Sequence, residues 1–141
     1  MKKYIISCLL FVLSGCAMDG HNPHKISYSP ASAYILNDKI CVYISEHDLQ
    51  KKENVLSISV NEYGAEKNYL FNKNYSLSDG NFALMPGVCI KDLYSFTYEL
   101  GKGYVVRIRT PLNLYISSFV VWNRVDGVVL IPVNGGIEVR K

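Results

Sequence analysis

The chain is poor in the residue types that metal, redox and acid–base chemistry require. It has three histidines in 141 residues, and His21 and His24 precede the first strand-like run, so only His47 could serve a folded domain. Its four cysteines, at positions 8, 16, 41 and 89, show neither the Cys-x-x-Cys spacing nor a His-x-x-x-His companion of a zinc site. No metal or other cofactor is expected. No glycine-rich loop follows a strand and opens a helix, which excludes the common phosphate cradles. No segment keeps a helical period over the length an independent helix needs. No apolar run reaches the roughly 20 residues that span a bilayer core. Charge is nearly balanced, 15 basic against 12 acidic residues, without the clustered basic face that nucleic acid would require.

What is present begins at the amino terminus. Lys2 and Lys3 are followed by an apolar run over 4–13 and by Leu13-Ser14-Gly15-Cys16. A charged start, a short apolar stretch and small residues at the end are the three parts of a secretory signal. The Leu-Ser-Gly-Cys tetrad resembles the bacterial lipobox, which implies that Cys16 takes a diacylglyceryl group, that cleavage falls just before it, and that the new amino terminus is acylated. Two or more acyl chains on one residue give stable membrane anchoring, whereas a single chain binds marginally. Ala17 stands where an Asp would favour inner-membrane retention, so the expected location is the periplasmic side of the outer membrane.

The organisation expected is a signal peptide over 1–15, a lipidated amino terminus and polar tether over 16–27, and one folded domain over 28–141. Removing 15 of 141 residues leaves 126, an ordinary single-domain length. Lys2 and Lys3 depart with the signal, leaving 13 basic against 12 acidic residues and a net charge of +1.

With Cys8 lost and Cys16 lipidated, Cys41 and Cys89 are the only thiols of the mature domain. An oxidising compartment pairs such thiols. A bridge between positions 48 apart would stabilise the fold by up to about 4 kcal/mol through loop closure.

From Tyr28 onward, short apolar and β-branched runs recur: 33–36, 40–45, 55–61, 69–71, 82–84, 87–91, 94–100, 104–109, 115–122, 128–133 and 137–140. Asn37-Asp38, Ser78-Asp79-Gly80-Asn81, Gly101-Lys102-Gly103, Asp126-Gly127 and Asn134-Gly135-Gly136 punctuate them. Strict alternation puts Leu56, Ile58 and Val60 on one face and Ser57, Ser59 and Asn61 on the other. Likewise Tyr104, Val106 and Ile108 oppose Val105, Arg107 and Arg109. The runs at 119–122 and 128–131 are apolar on both faces, the pattern of a central strand or of one whose second face meets a partner. Gly101-Lys102-Gly103 reads as a hairpin turn joining 94–100 to 104–109, and Asp126-Gly127 as the turn from Trp122 back into Val128.

Strands at this spacing predict an all-β fold, an antiparallel β-sandwich of immunoglobulin-like or fibronectin-like type with one disulfide. The order Cys, Cys, Trp differs from the antibody signature. The expected core is Ile40, Val42, Ile44, Leu56, Ile58, Val60, Phe96, Tyr98, Val106, Ile108, Phe119, Val121 and Leu130.

A catalytic constellation needs several groups converging on a rigid scaffold. His47, in Ser45-Glu46-His47-Asp48, reads instead as a solvated loop residue, and Glu46, Asp48, Asp79 and Asp92 as surface carboxylates. Residues 78–81 have calcium-loop character but lack the remaining ligands of the twelve-residue loop. No catalytic residue is assigned, and the protein is read as a non-enzyme. Eleven tyrosines offer broad contact area with a polar tip. Tyr63, Tyr69 and Tyr75, with Arg107 and Arg109, are the expected partner-binding residues, Tyr94 being a further exposed candidate. Tyr43 and Tyr104 are expected to pack.

A lipobox, a short polar tether, Tyr28-Ser29-Pro30-Ala31-Ser32-Ala33-Tyr34 leading into Asp38-Lys39-Ile40-Cys41-Val42-Tyr43, then Gly87-Val88-Cys89-Ile90 and a Tyr-rich segment around 101–104 together resemble the type VI secretion immunity lipoproteins of enterobacteria. The resemblance implies a periplasmic protein that binds a cognate toxin and protects the producing cell. Its partners would be that toxin and, through Cys16, the membrane. The alternatives are a structural or accessory envelope lipoprotein and a small ligand-binding or carbohydrate-binding β module. Cys16→Ser should abolish labelling by an alkyne fatty acid and accumulate the unprocessed precursor, whereas labelling that persists in the variant would remove the lipid anchor.

Overall fold

The computed structural model describes residues 25–76 and 82–133. The expected signal, Cys16, most of the expected tether, the expected turn at 78–81, and the glycine-rich turn and strand expected over 134–140 lie outside these residues. The regular structure of the described part is almost all strand: β1 Ser27–Pro30, β2 Ser32–Leu36, β3 Lys39–Tyr43, β4 Ser57–Glu62, β5 Tyr69–Asn74, β6 Gly103–Arg109, β7 Asn113–Arg124 and β8 Gly127–Pro132, with one helical turn, α1 Lys91–Tyr94, between β5 and β6. None of its helices is long and apolar enough to cross a membrane.

These strands form a sandwich-like all-β fold with two unequal layers. The larger is a six-stranded sheet in which β1, β7, β6, β4 and β5 neighbour one another in that order, and β8 also pairs with β7. The smaller is the antiparallel hairpin β2–β3. Its turn is the Asn37-Asp38 pair, whose φ values of 49° and 60° match the two-residue turn that Asn and Asp tolerate best. The expected β7–β8 hairpin forms one residue earlier than Asp126-Gly127: Val125 and Asp126 make the turn, and Gly127 opens β8 opposite Arg124.

β7 organises the large sheet because both of its edges are used. One edge pairs with β6 over Leu114 to Val120. The other carries β1 along Asn113 to Ile116 and β8 along Phe119 to Arg124, end to end. β1 runs parallel to β7 while the remaining pairs are antiparallel, so the sheet is mixed.

Alternation delivers the core. Ile58 and Val60, Tyr104, Val106 and Ile108, and Tyr115, Phe119 and Val121 line the inner face of the sheet, all buried. Ile40, Val42 and Ile44 from the hairpin layer, with Ile90 and Leu93, complete the cluster. Phe96, Tyr98 and Leu130, expected as core, are half-buried against it. Phe96 and Tyr98 extend an aromatic cluster with Tyr104 and Phe119, the Phe96–Tyr98 and Tyr98–Tyr104 centroids lying 4.7 and 5.0 Å apart. Leu56 is half-buried and Val55 is buried in its place, because the chain ahead of β4 turns to pair with 82–84, Val55 N–H donating to the Phe82 carbonyl at 2.8 Å.

Three expected strands are not strands. Residues 82–84 contribute a single isolated bridge, Asn54 to Ala83. Residues 87–90 donate two backbone hydrogen bonds to the edge of β3, Gly87 to Ile44 and Ile90 to Val42, and then wind into α1 before a ladder can form. Residues 94–100 are irregular, and their aromatic alternation serves the core from a loop. Gly101-Lys102-Gly103 is therefore not a hairpin between 94–100 and β6; Gly101 and Lys102 instead bond to the Val121 backbone of β7.

A buried polar knot fixes the β6–β7 turn. The Glu53 carboxylate accepts from the Thr110 hydroxyl, from Asn113 Nδ2 at 2.6 Å and from the Tyr115 hydroxyl at 3.2 Å. Burial, and secondarily the Glu53 charge, push the Tyr115 hydroxyl well above its ordinary pKa. Each buried hydroxyl thus has the acceptor it needs.

Cys41 and Cys89 are joined, with Cα atoms 5.1 Å apart, tying the hairpin layer to the irregular segment that leads into α1. Oxidised protein should show no titratable thiol at these positions, and reduction should lower unfolding stability by up to about 4 kcal/mol. Two free thiols in unreduced periplasmic material would contradict the bridge.

Candidate interaction surface

The face of the large sheet turned away from the core is built by the same alternation that fills the core. In β7 the residues between the buried ones are Leu114, Ile116, Ser118, Val120 and Trp122, so this strand is apolar on both sides. Cross-strand partners share a face, and the register therefore lays out the surface row by row. Tyr28, Leu114, Arg109, Ser57 and Asn74 form one row; Pro30, Ile116, Arg107, Ser59 and Asn72 form the next. Ser118, Val105, Asn61 and Tyr69 follow, then Ile131, Val120 and Gly103, then Val129 and Trp122.

The face grades from an apolar half on β1, β7 and β8, through the arginines of β6, to Ser and Asn on β4 and β5. Tyr28 is 57% exposed, Trp122 50% and Ile131 40%. The described elements outside the sheet, β2, β3 and α1, contribute to the inner core, and among the described residues the loop after β4 covers the outer face at Asn61. A contiguous apolar area of this kind on a sheet is a mark of an interaction site.

Four of the five expected contact residues stand on it. Tyr63, 48% exposed, lies over Gly103, where an added Cβ would come within 3.0 Å of the Tyr63 Cβ and 3.5 Å of Val120. Glycine at 103 is thus what lets the tyrosine lie close to the sheet. Tyr69, 58% exposed, is paired with Asn61 across a bulge in β4–β5. Arg107 donates to Asn61 Oδ1 at 3.1 Å and stands 3.9 Å from the Glu66 carboxylate. Asn61 points outward, as alternation predicts, but is fully buried because the loop after β4 folds over it, its amide donating to the Glu66 and Asn68 carbonyls at 3.2 and 3.0 Å. Arg107 is therefore held in place, whereas Arg109 is exposed and makes no ion pair among the described residues. The strand rows of this face contain no acidic side chain, so its charge is positive.

Tyr75 lies apart. Its ring stacks on Phe82 at 5.3 Å and carries the Lys73 ammonium at 5.1 Å, and its hydroxyl donates to Asp92. The bond from Tyr75, reinforced by Lys73, holds the Asp92 carboxyl below its usual pKa. Tyr75 thus clamps β5 to α1. Tyr94 is half-buried with the Lys39 ammonium 5.2 Å from its ring. His47 is 96% exposed, 3.5 Å from Asp48, in a turn closed by Ser45.

Tyr28, Ile116, Val120, Trp122 and Ile131 were not among the expected contacts. Their signal was the two-sided apolar pattern of 119–122 and 128–131, which leaves open whether the second face is interior or an interface; the sheet topology makes it the outer face. The only tryptophan of the chain reports on this surface: Trp122 emission should be red-shifted and readily quenched by acrylamide in the isolated protein. A blue, unquenched emission would mean that the face is already covered.

No curated protein and no solved structure matches the chain. A family model described as a domain of unknown function, DUF7480, matches residues 28–124, from β1 to the end of β7, leaving β8 beyond it. That span is more than two thirds of the sequence, and the protein belongs to this family.

Proposed function

We propose that this is a lipid-anchored periplasmic immunity protein that binds and neutralises a cognate type VI secretion toxin, and that the outer face of the six-stranded sheet is its binding surface. The carrying observation is the convergence of Tyr63, Tyr69, Arg107 and Arg109 on one face with an apolar stripe in which Tyr28 and Trp122 are exposed and Ile116 and Val120 half-buried. The lipobox and the resemblance of the chain to immunity lipoproteins supply the compartment and the partner class.

The composition suits such a role. Five strands abreast at about 4.8 Å spacing give a face roughly 20 Å wide, approaching the dimension of a standard interface of about 800 Å² per partner. Binding energy in such interfaces concentrates in a few Trp, Tyr and Arg side chains. Here Trp122 and Tyr63 border the apolar half and Arg109 the polar one. The complementary surface on the toxin would be apolar with a carboxylate facing Arg109, and a sheet bound there could occlude its active site without chemistry of its own.

Periplasmic expression of the toxin encoded beside this gene should kill cells lacking the gene and spare those carrying it. Trp122→Ala and Arg109→Ala should each weaken toxin binding by about 2 kcal/mol or more, while Met85→Ala, at an exposed position outside the sheet, should leave binding unchanged. Equal killing with and without the gene would reject the proposal.

A further inference from the structure

We infer that the molecule carries a second binding site, for a small organic cation with an apolar body, in the seam between its layers. A cavity of about 620 Å³ opens where the β2–β3 turn, the irregular segment 94–100 and the β7–β8 turn meet. That volume lies within the range of small-ligand sites, which are mostly apolar with a few placed polar groups. It is on the inner side of β7, lined by Val121, and is separate from the outer face.

The lining states the ligand chemistry. Phe96, Leu100 and Val128 offer apolar wall, and Leu100 and Val128 are exposed despite their character. Tyr98 also lines it, and its hydroxyl is buried without a hydrogen-bond partner among the described residues, an unmet polar group where native proteins normally have none. The charged lining residues are Asp38, Asp126 and Lys39, two carboxylates against one ammonium. Lys39 already rests against the Tyr94 ring, whereas neither aspartate forms an ion pair or side-chain hydrogen bond among the described residues. Asp38 sits at the tip of the β2–β3 hairpin with φ 60° and Asp126 in the β7–β8 turn, so the two lining carboxylates come from different turns. A ligand amine can be held by charge-assisted bonds to them while its apolar part fills the wall between. An anion would meet a net negative lining.

The test uses the full chain in a non-ionic detergent and three probes of nearly one shape: phenethylamine, phenethyl alcohol and 3-phenylpropionate, followed by NMR shifts of the Leu100 and Val128 methyls. The amine should bind with a Kd below about 1 mM, the alcohol at least about tenfold more weakly, and the carboxylate not at all. In Asp38→Asn/Asp126→Asn, which keeps a residue tolerant of the turn conformation at 38, amine and alcohol should bind alike. Trp122→Ala should leave amine binding intact, which keeps this site separable from the toxin-binding face. No shift with the amine, equal binding of all three probes in the native chain, or preference for the carboxylate would overturn the inference.

Discussion

The parity of β7 is the constraint on which the other features depend. Twelve residues long, it pairs with β6 along one edge and with β1 and β8 along the other, so its alternation governs both surfaces of the sheet at once. Tyr115, Ser117, Phe119 and Val121 point inward and are buried; Leu114, Ile116, Val120 and Trp122 point outward. A slip of one residue would exchange the two sets, exposing Tyr115 and stripping Glu53 of one of its donors. Core and outer face are therefore specified by the same register, and the Glu53 knot with Thr110, Asn113 and Tyr115 holds that register at the β6–β7 turn.

The second layer is small and cannot cover the sheet by itself. A two-stranded hairpin is marginal alone, and here it is joined to the rest by Cys41–Cys89 and by the bonds from Gly87 and Ile90 to β3. The aromatic segment 94–100 fills much of the remaining gap, and the cavity beneath the two turns is what it leaves open. The sheet's outer face and the cavity in the seam are thus separate surfaces of one molecule.

Strongly periodic runs were legible in the sequence: β3, β4, β6, β7 and β8, the turn at 37–38, the disulfide, and the buried aliphatic residues of the strands, whereas Leu49, Leu84, Ile90 and Leu93, buried from outside the ladders, were not. The errors share a cause. Residues 82–84, 87–91 and 94–100 have strand-like composition because they are apolar and pack on the core, but composition records burial rather than hydrogen-bond ladders. Leu56 and Val55 exchanged roles where a non-local bridge redirects the chain, and β1, short and proline-ended, has no pattern of its own beyond pairing with β7. Glu53 was invisible because its partners lie 57 to 62 positions away in sequence. At the surface, Tyr75 is half-buried rather than exposed for a similar reason: its partner Asp92 is brought to it only by tertiary packing. Trp122 was visible as an apolar residue on a two-faced strand, and deciding which face met solvent required the sheet order.

Hydroxyl-radical footprinting of the protein alone and with the proposed cognate toxin tests the central claim, that the outer face of the sheet is the binding surface. Protection should fall on Tyr63 and Trp122, with Met85 and Tyr94 unchanged. Protection of Met85 or Tyr94 while Trp122 stays as reactive as in the free protein would place the interface elsewhere and contradict the account.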